Sequence, residues 1–290
     1  MKICLVVNPS AGGGRAGRAL PRVQAELGRL GLEHRVQSTR SLEHAGELAV
    51  EAAAAGETTV TLGGDGLIGA VAGALKHSSG VLGVLPGGRG NDFARVLNIP
   101  LEPVAACSVI ASGLVRDLDL GVVNGRTYIS IASCGFDSDA NRIANATRVV
   151  RGNLVYAYGA LRALAGWRPA RFEVTLDGGE PRMLYGYTVA VANSGAYGGG
   201  MLMAPNASPH DGALDVVTVE HVPKLRFLRL LPTVFKGEHV RERAVTVTRA
   251  AEVRITADRA FTMYADGDPI AQLPATVVVL PGAVKVIVPR

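Results

Sequence analysis

Hydrophobic and polar positions alternate between strand-like and helix-like patterns over the first hundred residues. Short apolar runs predict strands at residues 2–7, 32–38, 58–62 and 81–85. The intervening pattern predicts helices at 18–30, from Ser41 to Ala55, and along the face marked by Leu67, Val71 and Leu75. Pro21 is expected in the first turn of the first helix. This βαβα order predicts a parallel, doubly wound sheet, whose ligands bind at the carboxyl ends of the strands.

From about residue 120 the pattern changes to short β-type runs with turn signals between them. The runs are RFEVTL, MLYGYTVAVANS, ALDVVTVE, AVTVTR, AEVRIT and TVVVLPGAVKVIV. Helical signal is confined to about 139–165 and 223–236. The predicted fold class is therefore α/β plus all-β: an N-terminal doubly wound parallel sheet in residues 1–119 and a C-terminal antiparallel β-sandwich in residues 120–290.

Composition limits the classes of protein and the cellular compartments that fit this chain. The three cysteines, Cys4, Cys107 and Cys134, are far apart, and neither a CxxC pair nor an HExxH motif occurs, so neither a disulfide framework nor a zinc site is indicated. The opening MKICLVV is typical of a first strand rather than a signal peptide, and no stretch reaches the roughly 20 apolar residues that span a bilayer. We expect a soluble cytoplasmic protein.

The chain carries a net charge of +5, which favours polyanionic partners such as nucleotides or anionic lipid surfaces. Aromatic residues make up only 5% of the sequence, and basic and aromatic positions are not interleaved as in RNA-binding proteins. A nucleic-acid partner is therefore not expected.

The turn Gly63-Gly64-Asp65-Gly66 lies between a predicted strand and a predicted helix. Glycines allow the backbone to approach a ligand closely, and a helix N-terminus offers unpaired N–H groups to anions. A carboxylate beside a phosphate is repulsive unless a cation, a water or a proton lies between them. A metal-bound nucleotide therefore fits this turn better than a bare phosphate.

Three common phosphate-binding motifs fit poorly. Gly12, Gly14 and Gly17 satisfy GxGxxG, but the acid expected at the end of the second strand is absent from LEHRVQSTR. No Gly-Lys dipeptide occurs, which excludes the Walker motif, and a GxSxG nucleophile elbow is also missing.

Polar or glycine-rich segments follow all four predicted strands: Asn8-Pro9-Ser10, Thr39, the GGDG turn and PGGRGND at 86–92. Together they resemble the diacylglycerol kinase catalytic domain family, soluble bacterial lipid kinases related to sphingosine and ceramide kinases. The motifs that carry the resemblance occur in the family's order: NPSAGGGRAGR, GGDGL, LPGGRGNDFAR, YGGGMLMAPNASPHDGALDV, FKGEHV and ADGDP. They extend over nearly the whole chain.

The resemblance implies an ATP-dependent kinase that phosphorylates a hydroxyl of a membrane lipid, with diacylglycerol as the default acceptor and Mg²⁺ as cofactor. Asp65 and Asp92 are placed to act through Mg²⁺ and its waters. The implied nucleotide-binding residues are Asn8, Pro9, Ser10, Ala11, Gly12, Thr39, Gly63, Gly64, Asp65, Gly66, Leu67, Arg89, Gly90, Asn91 and Asp92.

The catalytic base is implied by the late acidic motif. By position Asp268 is the proton acceptor, and Asp266 is close enough to dispute the role. A second, structural Mg²⁺ is implied in the second domain, on the carboxylate of Asp211 and the carbonyls of Ser208 and Ala213.

Several positions depart from the family pattern. Leu67 replaces the usual Thr after GGDG, Gly69 and Ala70 replace Asn and Glu, Arg89 replaces the Thr before GND, and Asp268 stands where Glu is usual. Weak or altered activity is one consequence to test. The alternatives are an NAD kinase, which shares GGDG, and a non-catalytic nucleotide- or lipid-binding relative.

Single features also have ordinary interpretations. The glycine loops and the Asp211 and Asp266 turns are common tight turns, and Asp92 is a suitable cap for the helix after it.

A lipid kinase without a transmembrane helix must contact the membrane transiently, as a peripheral protein at its inner surface. Residues 222–237 combine apolar Leu225, Leu228, Leu231 and Phe235 with basic Lys224, Arg226, Arg229 and Lys236. This composition is typical of an interfacial helix, although a helix that covers the second sheet is an equal alternative. Pro232 interrupts it unless a new helix starts there, and residues 148–168 are the next candidate. A homodimer is left open.

Overall fold

The computed structural model describes residues 1–147 and 154–290, which form two compact units. The first unit contains Met1–Leu120 and Leu280–Arg290, and the second contains Gly121–Val279. The sequence-based boundaries keep residues 280–290 with the second domain, whereas the structure groups this last segment with the first unit.

Strands and helices alternate along the first unit. In chain order they are β1 (Lys2–Val7), α1 (Ala11–Arg29), β2 (Glu33–Ser38), α2 (Leu42–Ala54), β3 (Thr58–Gly63), α3 (Asp65–Leu75), β4 (Val81–Pro86), α4 (Asp92–Val96) and α5 (Pro103–Ser112). The strand β5 (Leu114–Val123) begins in this unit and ends in the second.

The second unit is mainly β-structure. Its first elements are β6 (Arg126–Tyr128), β7 (Ile131–Gly135), α6 (Phe136–Ala146), α7 (Leu154–Gly166), β8 (Ala170–Leu176), β9 (Arg182–Ala192) and β10 (Leu214–Glu220). They are followed by α8 (Lys224–Leu230), 3-10 helices at Leu231–Lys236 and Glu238–Arg241, β11 (Val245–Ala250), β12 (Glu252–Ala257), β13 (Thr262–Ala265), β14 (Asp268–Gln272) and β15 (Ala275–Val288).

The sheet of the first unit is parallel, as the βαβα pattern predicts. β1 lies between β2 and β3, with Leu5 opposite both Val36 and Val60, and β3 pairs with β4. The C-terminal end of β15 adds another parallel strand through Lys285 opposite Val81. All four strand ends that carry the predicted loops therefore point toward one edge of this sheet.

The sheets of the second unit are antiparallel. The first half of β9 pairs with β8, and its second half lies between β7 and β10. Buried aromatic side chains fill the core of this unit, with Phe136 edge-on to Trp167 at 5.7 Å and Tyr187 stacked on Phe227 at 3.9 Å. The predicted doubly wound sheet followed by an antiparallel sandwich is confirmed.

Two predicted helices differ in detail. The first is assigned from Ala11, but Gly12, Gly13 and Gly14 have non-helical φ/ψ, so its regular part starts at Arg15 rather than at residue 18. Pro21 therefore lies inside it rather than in its first turn. The helical signal at 139–165 becomes α6 and α7, and residues 148–153 of the second membrane candidate lie outside the described residues. In the segment 223–236, α8 ends at Leu230 and Pro232 lies at the start of a 3-10 helix. Within the described ranges, no helix is long and apolar enough to cross a bilayer.

Candidate active site

Three glycine-bearing loops of the first unit contact each other through their backbones. The Gly87 N–H donates to the Gly63 carbonyl at 2.6 Å. A Cβ added to Gly88 would lie 2.4 Å from the Cα of Gly64, and one added to Gly12 would lie 2.5 Å from the Gly87 carbonyl oxygen. No side chain larger than hydrogen fits at these contacts. The loops after β1, β3 and β4 therefore form one backbone-lined surface.

The loop after β1 is shaped by a local hydrogen-bond network. The Asn8 Oδ1 accepts the Ser10 N–H at 3.1 Å, and the Ser10 carbonyl accepts the Gly14 N–H at 3.1 Å. Residues 12–14 all have positive φ, between 60° and 83°, a region that glycine enters without a Cβ penalty. Such loops at a helix N-terminus present N–H groups that bind phosphate.

Asp65 joins the second loop to the third. Its Oδ1 accepts the Phe93 N–H at 3.1 Å, in the first turn of α4. Burial raises the pKa of the Asp65 carboxyl, and hydrogen bonds from backbone N–H groups, that of Phe93 first, oppose the shift. The Phe93 N–H at the start of α4 is therefore bonded to the side chain of Asp65 and not to that of Asp92, which the sequence suggests as the cap. Asp92 itself is only 5% exposed.

Asn91 fixes the third loop from inside. Its φ of 54° is left-handed, its Oδ1 accepts the Gly88 N–H at 2.8 Å, and its Nδ2 donates to the Gly88 carbonyl at 3.3 Å. Arg15 reaches the same carbonyl from the first loop, with Nη1 at 3.1 Å. Arg15 was not among the predicted residues, although a basic side chain directly after a glycine run could have suggested it. Arg89 is exposed beside these groups in the chain.

Thr39 and Leu67 complete the predicted nucleotide set. The Thr39 N–H donates to the Val7 carbonyl at 2.8 Å, which places it beside the end of β1. Leu67 is 2% exposed, and its N–H donates to the Gly64 carbonyl at 3.0 Å. The Leu67 side chain therefore belongs to the core of the first unit, and this departure from the family pattern has a packing role.

The two carboxylates of the late acidic motif have different environments. Asp266 lies in a turn with φ of 52°; its Oδ2 accepts the Ile129 N–H at 2.8 Å and its Oδ1 accepts the Ser130 N–H at 2.9 Å. Asp268 is the exposed first residue of β14. The Asp266 carboxylate is thus fixed by two backbone N–H groups, whereas the Asp268 side chain is exposed to solvent.

The predicted metal turn is occupied by other groups. The Asp211 Oδ1 accepts the Ala213 N–H at 3.2 Å, and its Oδ2 pairs with the guanidinium of Arg249. The Ser208 hydroxyl bonds to the Nδ1 of His210 at 2.9 Å. In the described part of the chain, no cluster of three or more His, Cys, Asp or Glu side chains could hold a metal ion. The implied Mg²⁺ site instead uses one carboxylate and two backbone carbonyl oxygens, and it stays a prediction.

The second unit also contains an apolar cavity of about 400 Å³. Its walls include Phe136, Ala140, Leu161, Met203, Phe227 and Leu231. No local pattern in the sequence indicates this cavity, because its walls come from elements far apart in the chain.

One acidic group lies on the wall of this cavity. The Tyr197 hydroxyl donates to the Oδ2 of Asp137 at 2.9 Å. Burial raises the pKa of Asp137 to about 6, although hydrogen bonds from Tyr197 and Thr188 lower it. Tyr197 is positioned by a tight loop in which Tyr197 and Met201 exchange two backbone hydrogen bonds of 2.9 Å around Gly198–Gly200. The YGGGM motif therefore places a hydroxyl on the only acid that this cavity's described lining contains.

Comparisons with known proteins agree with this architecture. Residues 2–123 match the diacylglycerol kinase catalytic domain, and residues 130–288 match the YegS C-terminal NAD kinase beta sandwich-like domain. A diacylglycerol kinase of Mycobacterium tuberculosis is 35% identical over 297 residues, covering 100% of this chain and 96% of the relative. The chain therefore belongs to the diacylglycerol kinase family.

Two solved structures share the fold. The crystal structure of a diacylglycerol kinase from Bacillus anthracis has a TM-score of 0.78 at 21% identity and covers 99% of this chain and 96% of its own. An NAD kinase from Archaeoglobus fulgidus in complex with ATP has a TM-score of 0.54 at 13% identity and covers 99% and 93%. At these identities the likeness concerns the fold alone.

Proposed function

We propose that this protein is an ATP-dependent lipid kinase that transfers the γ-phosphate to a hydroxyl of a membrane lipid, with diacylglycerol as the default acceptor. The observation that carries the proposal is the backbone-lined surface formed by the Gly12, Gly64 and Gly88 loops in a member of this family. Mg²⁺ bound with ATP would supply charge neutralisation of the triphosphate, and Asp65 and Asp92 are the carboxylates that would hold it through water.

The first unit, residues 1–119 in the sequence-based division, is proposed as the nucleotide-binding domain. The N–H groups of Asn8, Ser10 and Ala11 are bonded within the protein, so the glycine end of this loop, from Gly12 onward, would bind the phosphate oxygens. Asp65 keeps the third loop in register with the second. Arg15 and Arg89 add positive charge at the same loops. This preorganised surface stabilises the charge that develops during phosphoryl transfer.

Asp268 is proposed as the general base. As the acceptor hydroxyl oxygen attacks the γ-phosphorus, the hydroxyl proton passes to the Asp268 carboxylate, and the bond to the β-phosphate oxygen breaks with its electron pair leaving on ADP. Asp266 is a positioning residue, because both of its carboxylate oxygens are used by the Ile129 and Ser130 N–H groups. These two hydrogen bonds fix the turn that precedes Asp268.

The second unit, within residues 120–290, is proposed to bind the lipid. An apolar cavity of about 400 Å³ in this unit suits hydrocarbon chains, since such walls offer burial rather than hydrogen bonds.

The cavity borders an exposed apolar segment, residues 222–237, which we call the docking segment. Leu228 and Phe235 line the cavity and are also 38% and 56% exposed, and Leu225 is 75% exposed. Phe227, Leu230 and Val234 instead face inward, so the segment covers the core with one side and exposes apolar groups on another. Exposed apolar side chains beside Arg226 and Arg229 favour contact with an anionic bilayer at the inner membrane surface.

Two other functions fit parts of the chain. NAD kinase is supported by the shared GGDG motif and by fold likeness. A non-catalytic relative is supported by Gly69, Ala70 and Arg89, at positions where the family pattern has other residues. The test is ATP consumption with a mixed bacterial lipid extract and, separately, with NAD, with each product identified by mass. Lipid phosphorylation that the Asp268→Asn variant lacks supports the proposal. Turnover with NAD alone favours NAD kinase, and no turnover with either favours the non-catalytic relative.

A further inference from the structure

The cavity of the second unit has an acid in an otherwise mainly apolar wall. Among the described residues, its polar lining consists of Asp137, Asn141, Thr188, Tyr197 and His239. A hydrocarbon chain alone offers these groups no hydrogen bond, and a polar group left without one in an apolar cavity is costly. Whether these side chains donate or accept hydrogen bonds therefore indicates whether the polar part of a ligand must accept or donate them.

Asp137 lies in the first turn of α6, where the helix N-terminus favours a negative charge. The Tyr197 hydroxyl donates its single proton to Oδ2 of Asp137 at 2.9 Å. The Thr188 hydroxyl lies near this carboxylate and helps to lower its pKa. An ionised carboxylate has about four acceptor positions and no proton to give. After the bond from Tyr197, the ionised carboxylate of Asp137 can still accept from a ligand and cannot donate to it.

His239 adds a second acceptor. Its Nε2 lies 3.0 Å from the Met203 carbonyl oxygen, and a carbonyl only accepts, so Nε2 carries the ring proton. Burial lowers the pKa of His239, which keeps the ring neutral and its Nδ1 unprotonated. The side chain is 3% exposed, and among the described residues Nδ1 has no hydrogen-bond partner. The Asn141 amide and the Thr188 hydroxyl can each both donate and accept, so they do not favour one kind of ligand group.

Asp137 is too far along β7 to act on the hydroxyl that Asp268 would deprotonate. The Asp266 N–H bonds to the carbonyl of Ile131, where β7 starts, and Asp137 follows Gly135, where β7 ends. At about 3.3 Å per residue, the two ends of this five-residue strand are roughly 13 Å apart. Asp137 therefore meets a different part of the acceptor.

We propose that Asp137, positioned by Tyr197, determines acceptor specificity by binding a hydrogen-bond donor of the lipid, a hydroxyl or amino group other than the hydroxyl that is phosphorylated. This inference rests on the proposed lipid kinase function and narrows its acceptor class. Lipids with a second hydroxyl or an amine, such as monoacylglycerols and long-chain amino alcohols, satisfy the carboxylate. Diacylglycerol, the default acceptor of the proposed function, offers only ester carbonyls besides its reactive hydroxyl, and these would face acceptors. The inference therefore ranks it below lipids with a second donor group.

Binding in the absence of ATP tests the inference separately from the kinase reaction. Trp167 is the only tryptophan of the chain, and its ring is 5.7 Å from that of Phe136, which lines the cavity. Its fluorescence is therefore a suitable reporter. The probes are decanol, decylamine and decyl methyl ether, which share a chain and differ in whether they donate. A charge-assisted hydrogen bond predicts about ten-fold tighter binding of decanol than of the ether by the wild-type protein.

Two variants identify the group responsible. In Asp137→Asn the amide retains an acceptor for Tyr197 and presents its own donor, so decanol should lose most of its advantage over the ether. Tyr197→Phe frees one carboxylate oxygen, so a preference for decanol should persist with a changed magnitude. Each variant is checked by thermal melting.

Three outcomes overturn the inference: equal wild-type affinity for decanol and the ether, an unchanged preference in Asp137→Asn, or no saturable binding of any probe. The protein could instead prefer decanol through Asp137 and yet phosphorylate no lipid. That result would contradict the proposed kinase function but would still support Asp137 as the group that binds a hydrogen-bond donor.

Discussion

The carboxylate of Asp65 accepts the backbone N–H of Phe93 at 3.1 Å, across 28 positions of sequence. This bond joins the glycine turn after β3 to the first turn of α4 and so sets the position of the loop between them. The acid that the sequence marks as a Mg²⁺ partner is thereby also a structural anchor of the phosphate-binding surface. Substitutions at Asp65 must therefore be chosen to separate these two roles.

Asp65→Asn retains an oxygen acceptor for the Phe93 N–H and removes the charge. We expect phosphorylation activity to be abolished, while the free energy of unfolding changes by less than about 1 kcal/mol. The matched variant, Asp65→Ala, leaves a partly buried N–H without its acceptor and should cost about 1–3 kcal/mol. Urea unfolding and ATP turnover measure both effects. A large stability loss in Asp65→Asn with activity retained would show that Asp65 is a turn residue only.

Asp268→Asn should lower turnover by about 10²–10⁴-fold with ATP affinity nearly unchanged, because a positioned general base contributes that much. Asp268→Glu, which restores the residue usual in the family pattern, should stay active. Asp266→Asn should instead lower stability by about 1–3 kcal/mol, since an amide N–H would face a backbone N–H that now donates to a carboxylate. Near-normal turnover of Asp268→Asn would move the base to Asp266.

The pKa of Asp137 predicts a pH-dependent stability. Because burial raises this pKa to about 6 from 3.8, the folded protein holds a proton that the unfolded chain releases between these values. Stability should fall as the pH rises from about 4 to about 6 and level off above it. Asp137→Asn should remove this loss and be more stable at pH 7 by up to about 3 kcal/mol, with no gain near pH 4.

Urea unfolding across this pH range measures the difference between the wild type and Asp137→Asn. Asp139→Asn, which also removes a negative charge from the first turn of α6, is the matched control for the loss of charge. If the free energies of unfolding of the wild type and Asp137→Asn differed by the same amount at every pH, the raised pKa of Asp137 would be contradicted.

The docking segment predicts two separable contributions to membrane binding. Changing Arg226 and Arg229 to Gln should weaken binding to anionic vesicles by about 1 kcal/mol per charge and leave binding to neutral vesicles little changed. Arg226 also pairs with Glu242 at 2.9 Å, but an exposed ion pair contributes little to stability, so folding should be preserved. Vesicle sedimentation gives the affinities.

Leu225→Ser with Phe235→Ser should weaken binding to both vesicle types, because it removes apolar insertion. Met183→Ser, which changes a side chain 67% exposed on β9, serves as the control outside the segment. Unaltered sedimentation of both double variants with anionic vesicles would exclude the docking segment.

Much of the first unit could be predicted from the sequence because its signals are local. Strand-length apolar runs such as KICLVV are buried on both faces of a parallel sheet, and Ser41 caps α2 by accepting the His44 N–H. α5 was missed because its residues are apolar on most sides and show little helical period. β7, β13 and β14 were missed because runs of four or five residues carry too few positions to define an alternation.

By itself the sequence determined the order of the first four strands and the first three helices, the glycine loops and the family, since each depends on residues close together in the chain. Only the tertiary structure decided what the acids do. Asp266 is anchored by N–H groups more than 130 positions away, Asp211 pairs with Arg249, and Asp137 receives its bond from Tyr197, 60 positions later. A carboxylate's role is set by the charges, donors and burial around it, and long-range folding supplies those neighbours rather than the adjacent sequence.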